Sequence, residues 1–229
     1  MARFVQTEID NGWFSANSFQ DNCPEEFKDA INEAYQLILQ RDCWQRYSSC
    51  LTALETCIRD KWDNLEIDCS SEGPCAYIPG RLSMSAWTAG RCGNKITFCK
   101  NVFLNQGFRG IALAALLVHE LVHACCGTEL DCEVIEWLCF SGQGWTVPTL
   151  RDIDDAVKQS EPGSHNGEVR GRFFVWYNLE GYIKCKGSDQ RFEPSEAGDP
   201  SGEYWGPRDL TGHPFSTVEP VLPAAPSGW

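Results

Sequence analysis

Polar and apolar positions recur along this chain with two periods, and the switches between them outline its elements. Phe27, Ile31, Tyr35 and Ile38 follow Pro24, Glu25 and Glu26 at helical spacing. Proline suits the first helical position, and acids suit the positive end of the dipole. Asp42 and Gln45 offer a capping box for a second helix carrying Tyr47, Leu51, Leu54, Ile58 and Trp62. Residues 24–62 therefore predict two packed helices. The chain is turn-rich from Cys69 to Gly80. Leu82, Met84 and Ala86 then alternate with polar neighbours, a half-buried strand period. The turn cluster GRCGN and the short run KITFCK complete a predicted hairpin, with its second strand over 95–100.

The longest apolar run, Ile111 to Val118, opens a helix that reads IALAALLVHELVHACC and stops at Gly127, a natural C′ residue. Thr128 with Asp131 is an S/T-x-x-D/E start signal for another helix, TELDCEVIEWLCF. Thr149 caps a third, shorter helix over 150–159. Residues 169–185 read as two strands around an N-L-E-G turn. From Pro194 the chain is rich in proline and glycine, the composition of an irregular tail or wrapping arm. The expected organisation is one α+β domain over 1–193 and a tail over 194–229, with no internal repeat.

Composition narrows the function. With 19 Lys and Arg against 32 Asp and Glu, the net charge is −13, and the mean field repels nucleic acid and anionic lipid. No run approaches the roughly 18–20 apolar residues of a membrane span. The 13 cysteines include no C-x-x-C pair, which argues against a zinc ribbon or a thioredoxin-like motif. Cys43, Cys50 and Cys57 are spaced by seven, as are Cys125, Cys132 and Cys139. Each trio predicts a helix stripe, open to disulfide formation or to plain core packing. Disulfides are the favoured reading, with at least one thiol left over because the count is odd. They imply a secreted protein or another oxidising compartment. The opening MARFVQTEIDNGWF shows no apolar signal segment, so a removed leader, another export route and a cytoplasmic location all remain open.

The chemistry is concentrated in His119-Glu120-Leu121-Val122-His123, an H-E-x-x-H motif. Histidines at i and i+4 stand one turn apart on one helix face, where both reach a single Zn²⁺. Glu120 lies beside them as general base. In a chain with four histidines, such a match arises by chance about once in 200 sequences. An apolar helix is also a costly place for uncoordinated His and Glu. A catalytic zinc needs a third protein ligand and an open position. On a helical wheel Glu129, Glu133 and Glu136 share one polar face, whose plain reading is a solvated surface. Asp131 points the opposite way, among Val134, Ile135 and Leu138, and an aspartate there needs a partner. Axial distance along a hairpin turning at Gly127 favours Glu133 instead. Asp131 ranks first and Glu133 second.

HELVH followed by Gly127-Thr128-Glu129-Leu130-Asp131 resembles the aspzincin metallopeptidases, the deuterolysin and peptidyl-Lys peptidase group. The resemblance spans roughly Ile96 to Asp131 and includes ITFCKNVF before the motif helix. It implies a zincin-like core, a Zn²⁺ cofactor, His119, His123 and Asp131 as ligands, Glu120 as the catalytic residue, and a protein or peptide substrate. It also implies that the strand at 95–100 binds substrate as an added strand. Val134 and Ile135 stand where that family carries Tyr-Gly. The expected function is zinc-dependent peptide-bond hydrolysis, as an endopeptidase where the cleft is open. The alternatives are a disulfide-rich secreted binding or effector module with a structural metal, and a zinc hydrolase of a small amide. His165 and His213 read as surface residues. Tyr177, Tyr182 and Tyr204 are minor candidates for an oxyanion donor. Oligomeric state is left open.

Overall fold

The computed structural model describes residues 2–9, 18–72, 75–76, 85–90, 92–100, 109–140, 168–177, 180 and 182–192. The expected helix at 150–159, the first half of the strand at 82–87, His165, His213, Tyr204 and the tail at 194–229 lie outside them. The described residues form an α+β fold. Its strands are β1 (Arg3–Phe4), β2 (Gln6–Ile9), β3 (Ser18–Asp21), β4 (Glu66–Ser70), β5 (Ala86–Thr88), β6 (Lys95–Cys99), β7 (Glu168–Arg170), β8 (Phe174–Tyr177), β9 (Tyr182–Cys185) and β10 (Arg191–Phe192). Its helices are α1 (Glu25–Leu39), α2 (Cys43–Arg46), α3 (Ser48–Trp62), α4 (Gly110–Ala124) and α5 (Glu129–Phe140).

One sheet has the order β1-β4-β6-β5. Its first three strands are parallel, and β5 closes one edge antiparallel to β6, with Ala86 opposite Phe98 and Thr88 opposite Ile96. The expected β5–β6 hairpin pairing is present. The expectation that the strand at 95–100 accepts an added strand is corrected: β6 lies between β4 and β5, so both its edges are already bonded. Among the described residues the edge on this side is β5. The second sheet is an antiparallel meander, β10-β9-β8-β7. The two strands expected over 169–185 are three, because a turn bonded from Gly171 N–H to the Phe174 carbonyl splits the first.

α4 lies at the centre. It packs chiefly on α1, and also on α3 and β5, and α5 folds back along it. Leu113, Leu117, Val118, Leu121 and Val122 are wholly buried, and each large apolar side chain so buried contributes about 1.5–3 kcal/mol. α1 and α3 also meet directly where Tyr35 stacks on Trp62 at 3.9 Å. Pro24 sits at the N-cap of α1, one place before the expected N1. The capping box at Asp42 does not form: its residue is αR, and its carboxylate pairs with Arg46 instead.

The cysteines settle into Cys23–Cys69, Cys43–Cys139, Cys50–Cys185, Cys57–Cys125, Cys75–Cys99 and Cys92–Cys126, leaving Cys132 buried and free. Six disulfides are the mark of an oxidising, extracellular environment. Among the described residues, no helix is long and apolar enough to cross a membrane.

Candidate metal centre

The turn between α4 and α5 builds the site. α4 ends in a Schellman pattern: Gly127 N–H bonds the Val122 carbonyl at 2.8 Å, and Cys126 N–H bonds that of His123 at 2.9 Å. The left-handed C′ residue is Cys126, with φ 65°, and not the expected Gly127. Glycine is needed at 127 for room, since a Cβ there would lie 2.3 Å from Val122 Cγ1. This tight reversal lays the first two turns of α5 against the last two of α4.

Consequently the acidic face of α5 turns toward the histidines. Its expected reading as a solvated surface is corrected: Glu133 and Glu136 are buried, and the Glu129 side chain is only 26% exposed. His119 Nε2 lies 3.4 Å from Glu129 Oε1, and His123 Nε2 lies 3.3 Å from Glu129 Oε2. The opposite ring nitrogens are held from behind. His119 Nδ1 is 2.6 Å from Glu136 Oε1, and His123 Nδ1 is 3.3 Å from the Gly127 carbonyl. Both acceptors favour a proton on Nδ1, so in a neutral imidazole Nε2 is the nitrogen left to bind a metal.

The distances are compatible with two uses of these atoms, an ion pair and metal ligation. At 3.3–3.4 Å the Nε2–carboxylate pairs exceed the usual 2.7–3.2 Å of a good N–H···O bond. Donors bound at about 2.0–2.1 Å around a tetrahedral ion stand about 3.3 Å apart. Two imidazoles and one carboxylate are a donor set that fits zinc. Two groups of potential ligand atoms lie within 4.8 Å of one another, His119 with Glu129 and Glu133, and His119 with His123 and Cys132.

Asp131 is placed elsewhere. It is wholly buried, and its Oδ2 accepts from Thr128 N–H at 2.7 Å, Thr128 Oγ1 at 3.1 Å and Arg172 N–H at 2.6 Å. Its Oδ1 accepts from the N–H groups of Phe173 at 2.8 Å and Phe174 at 3.0 Å. The Thr128–Asp131 pair is half of the capping box that the start signal announced. The remaining bonds tie α5 to the β7–β8 turn. The partner that a buried aspartate requires is thus backbone, and Asp131 belongs to neither ligand group among the described residues. Glu133, ranked second, does belong to one.

Glu120 is buried beside the histidines at 4% exposure. Thr88 Oγ1 lies 2.7 Å from its Oε2 and 2.9 Å from its backbone carbonyl, within donating reach of either. Burial raises the Glu120 carboxyl above its ordinary pKa, against the opposing pull of His119, the Thr88 hydroxyl and His123. Glu129 shows the opposite balance: burial would raise it, but the two histidines outweigh burial and hold it at about 2. Burial works against charge on His119, yet Glu129 and Glu136 raise its pKa well above the ordinary value. The Cys132 thiol, raised well above normal by burial and then by Glu129 and Glu120, donates to the His119 carbonyl at 3.4 Å. Tyr177 and Tyr182 stack on each other at 4.9 Å in the second sheet.

Sequence reasoning missed Glu129, Glu136, Thr88 and Cys132. A spacing signal for Glu129 was present. Zinc peptidases that turn sharply after the motif helix place ligands at positions 0, 4 and 10, with a turn residue at 7. Here those places hold His119, His123, Glu129 and the left-handed Cys126, where the pattern has His at 10 and Gly at 7, so the spacing matches and the last two residue types do not. No family model, curated protein or solved structure matches the chain.

Proposed function

We propose that this protein is a zinc-dependent metallopeptidase with a zincin-like core. The observation that carries the reading is the convergence of both Nε2 atoms on the Glu129 carboxylate, with both Nδ1 atoms held from behind. His119, His123 and Glu129 are the three protein ligands, in place of the Asp131 or Glu133 ranked from sequence. A bound Zn²⁺ supplies Lewis-acid activation of a water and of the scissile carbonyl. Glu120 takes the proton from that water and returns it to the leaving amine. Its raised pKa suits a group that must hold and release a proton. Thr88 orients its carboxylate. Glu136 and the Gly127 carbonyl fix the imidazole planes, work that in known sites is worth about 10- to 100-fold in metal affinity.

The edge strand β5 supports a peptide substrate. It ends at Thr88, which touches Glu120. An extended peptide adding to that edge would run its backbone past the proposed base. Secretion is the matching location for six disulfides.

The deciding experiment compares the native protein with Glu120→Gln on casein after both are assayed for zinc. Equal zinc content with activity lower by about 10²- to 10⁴-fold is expected. Full activity in Glu120→Gln overturns the mechanism. A second reading, a binding module around a structural metal, is favoured by Cys132, whose sulfur lies within 4.8 Å of both histidine donors. Four protein ligands would close the site to substrate. Cobalt substitution separates the two: a thiolate-to-cobalt charge-transfer band, lost in Cys132→Ala, belongs to the closed site alone.

A further inference from the structure

Among the described residues, the two non-glycine residues with positive φ are Cys92, at 67°, and Cys126, at 65°. They are bonded to each other. A side chain bearing a Cβ is disfavoured in that region; at Cys126 the helix end also holds that backbone, while at Cys92 the bridge and one bond to the His123 carbonyl hold it. The same pair is the most accessible of the six. Cys92 is exposed and Cys126 half-buried, whereas every other disulfide has at least one buried cysteine. Cys126 occupies the turn between His123 and Glu129. Cys92 N–H and Cys126 N–H both bond the His123 carbonyl, at 3.1 and 2.9 Å. The bridge therefore clips the β5–β6 turn onto the segment that sets the spacing between second and third proposed ligands.

We propose that Cys92–Cys126 is a thiol-exchange site through which a small thiol, or a dithiol protein, controls metal retention. A thiolate attacks Sγ of Cys92, the more exposed residue of the pair, forming a mixed disulfide while Cys126 leaves as a thiolate and takes a proton. A second thiolate attacks the mixed disulfide, releases the oxidised thiol and leaves Cys92 reduced. Cys92 is then free to leave the left-handed region, the clip on the His123 carbonyl loosens, and the turn that holds Glu129 opposite the two imidazoles keeps only its helix-end bonds. The other five bridges keep the fold. The link to metal rests on the ligand set proposed above; the exchange site does not.

The test treats the full zinc-loaded chain with graded reduced glutathione, quenches with an alkylating agent, and maps labelled cysteines while a chromophoric chelator reports zinc. S-methylglutathione controls for chelation. Cys92 and Cys126 should label first and together, and zinc loss should track their labelling with the other pairs intact. Earlier opening of another pair overturns the exchange site. Opening of this pair with zinc retention unchanged overturns its control of the metal. Should the native chain hold no zinc, the metal-centre reading fails, and the order of labelling still decides the exchange site. Variants isolate the backbone argument. Cys92→Ala with Cys126→Ala should weaken zinc binding by at least about tenfold, the range of groups that orient ligands. Cys92→Gly with Cys126→Gly, which tolerates positive φ, should recover much of it. Equal affinities in the two double variants would show that left-handed backbone plays no part.

Discussion

Asp131 and Glu129 lie two residues apart on one helix, and the proposed site gives them different work, support for the turn and metal binding. Five donors surround the Asp131 carboxylate. Asparagine there would turn an amide N–H toward backbone N–H groups, so Asp131→Asn should lose about 3 kcal/mol of stability while the folded fraction keeps its zinc. Glu129→Gln should fold normally and lose zinc. Chemical denaturation beside metal analysis checks both, and the reverse pattern would restore Asp131 as the ligand. Gly171 belongs to the same arrangement, since a Cβ there would lie 2.3 Å from Asp131 Oδ1. The sequence marked Asp131 as an aspartate in need of a partner. It carried no sign that the partner was a turn some forty residues onward. Asp68 gives a second residue-scale expectation. Burial pushes its pKa up, but Lys95 Nζ and Asn22 Nδ2, each at 2.7 Å, together with Cys69 N–H, hold it below the ordinary value. Because the folded pKa is the lower one, its stabilisation is present above an unfolded value of about 3.9 and is lost as pH falls through the folded value. Asp68→Asn should therefore flatten the acid side of a stability–pH profile and leave the slope above pH about 5 unchanged.

At the scale of elements, the seven-residue cysteine stripes were legible only in part, and their pairing was not legible. Cys50 and Cys57 share α3 and Cys132 and Cys139 share α5, while Cys43 lies on α2 and Cys125 caps α4. The α2–α3 stripe runs antiparallel to the stripe that spans α4 and α5, joining Cys43 to Cys139 and Cys57 to Cys125. Symmetry would pair the middle members, Cys50 and Cys132. Cys50 instead reaches Cys185 on β9, and Cys132 turns toward the His119 carbonyl beneath the site. Stripe spacing describes one helix face; it says nothing about a strand arriving from far along the chain. The helix pair around Gly127 was equally legible, because apolar period, glycine stop and start signal all agreed. β4 was not: its EIDCS run is short and bears two acids, and only pairing between β1 and β6 makes it a strand. The expected outcome for native protein is one reactive thiol per chain in denaturant without reductant, at Cys132. A titre near zero would mean that Cys132 is covalently engaged, and a titre of three or more would mean that one of the six bridges is absent.

For the whole molecule, the proposed metal site would couple metal binding to the fold through the α4–α5 turn. Without metal, Glu120, Glu129, Glu133 and Glu136 crowd two histidines, and the raised pKa of His119 means that a proton offsets part of that charge. A divalent cation held by His119, His123 and Glu129 would offset that charge in place of the proton. Because the proposed ligands come together only in the folded chain, zinc binding there would stabilise folding by RT ln(1 + [L]/Kd), about 2.7 kcal/mol when free metal is at 100 Kd. For a chain of this size, 1 kcal/mol shifts Tm by roughly 2–4 °C. Chelation should therefore lower Tm by about 5–10 °C, and zinc should restore it. The same scan on variants divides the site by role. Glu129→Gln and His123→Ala should melt at the chelated temperature whether or not zinc is added, because the binding that raises Tm is gone. Asp131→Asn should begin from a lower Tm and keep its zinc-dependent rise, because it supports the turn without touching the ion. Glu120→Gln should keep both the native Tm and the rise, since a proton carrier beside the metal contributes nothing to holding it. A Tm that chelator leaves unchanged in the native chain would remove the metal from the folded state, and with it the grounds for assigning Glu120 a hydrolytic role.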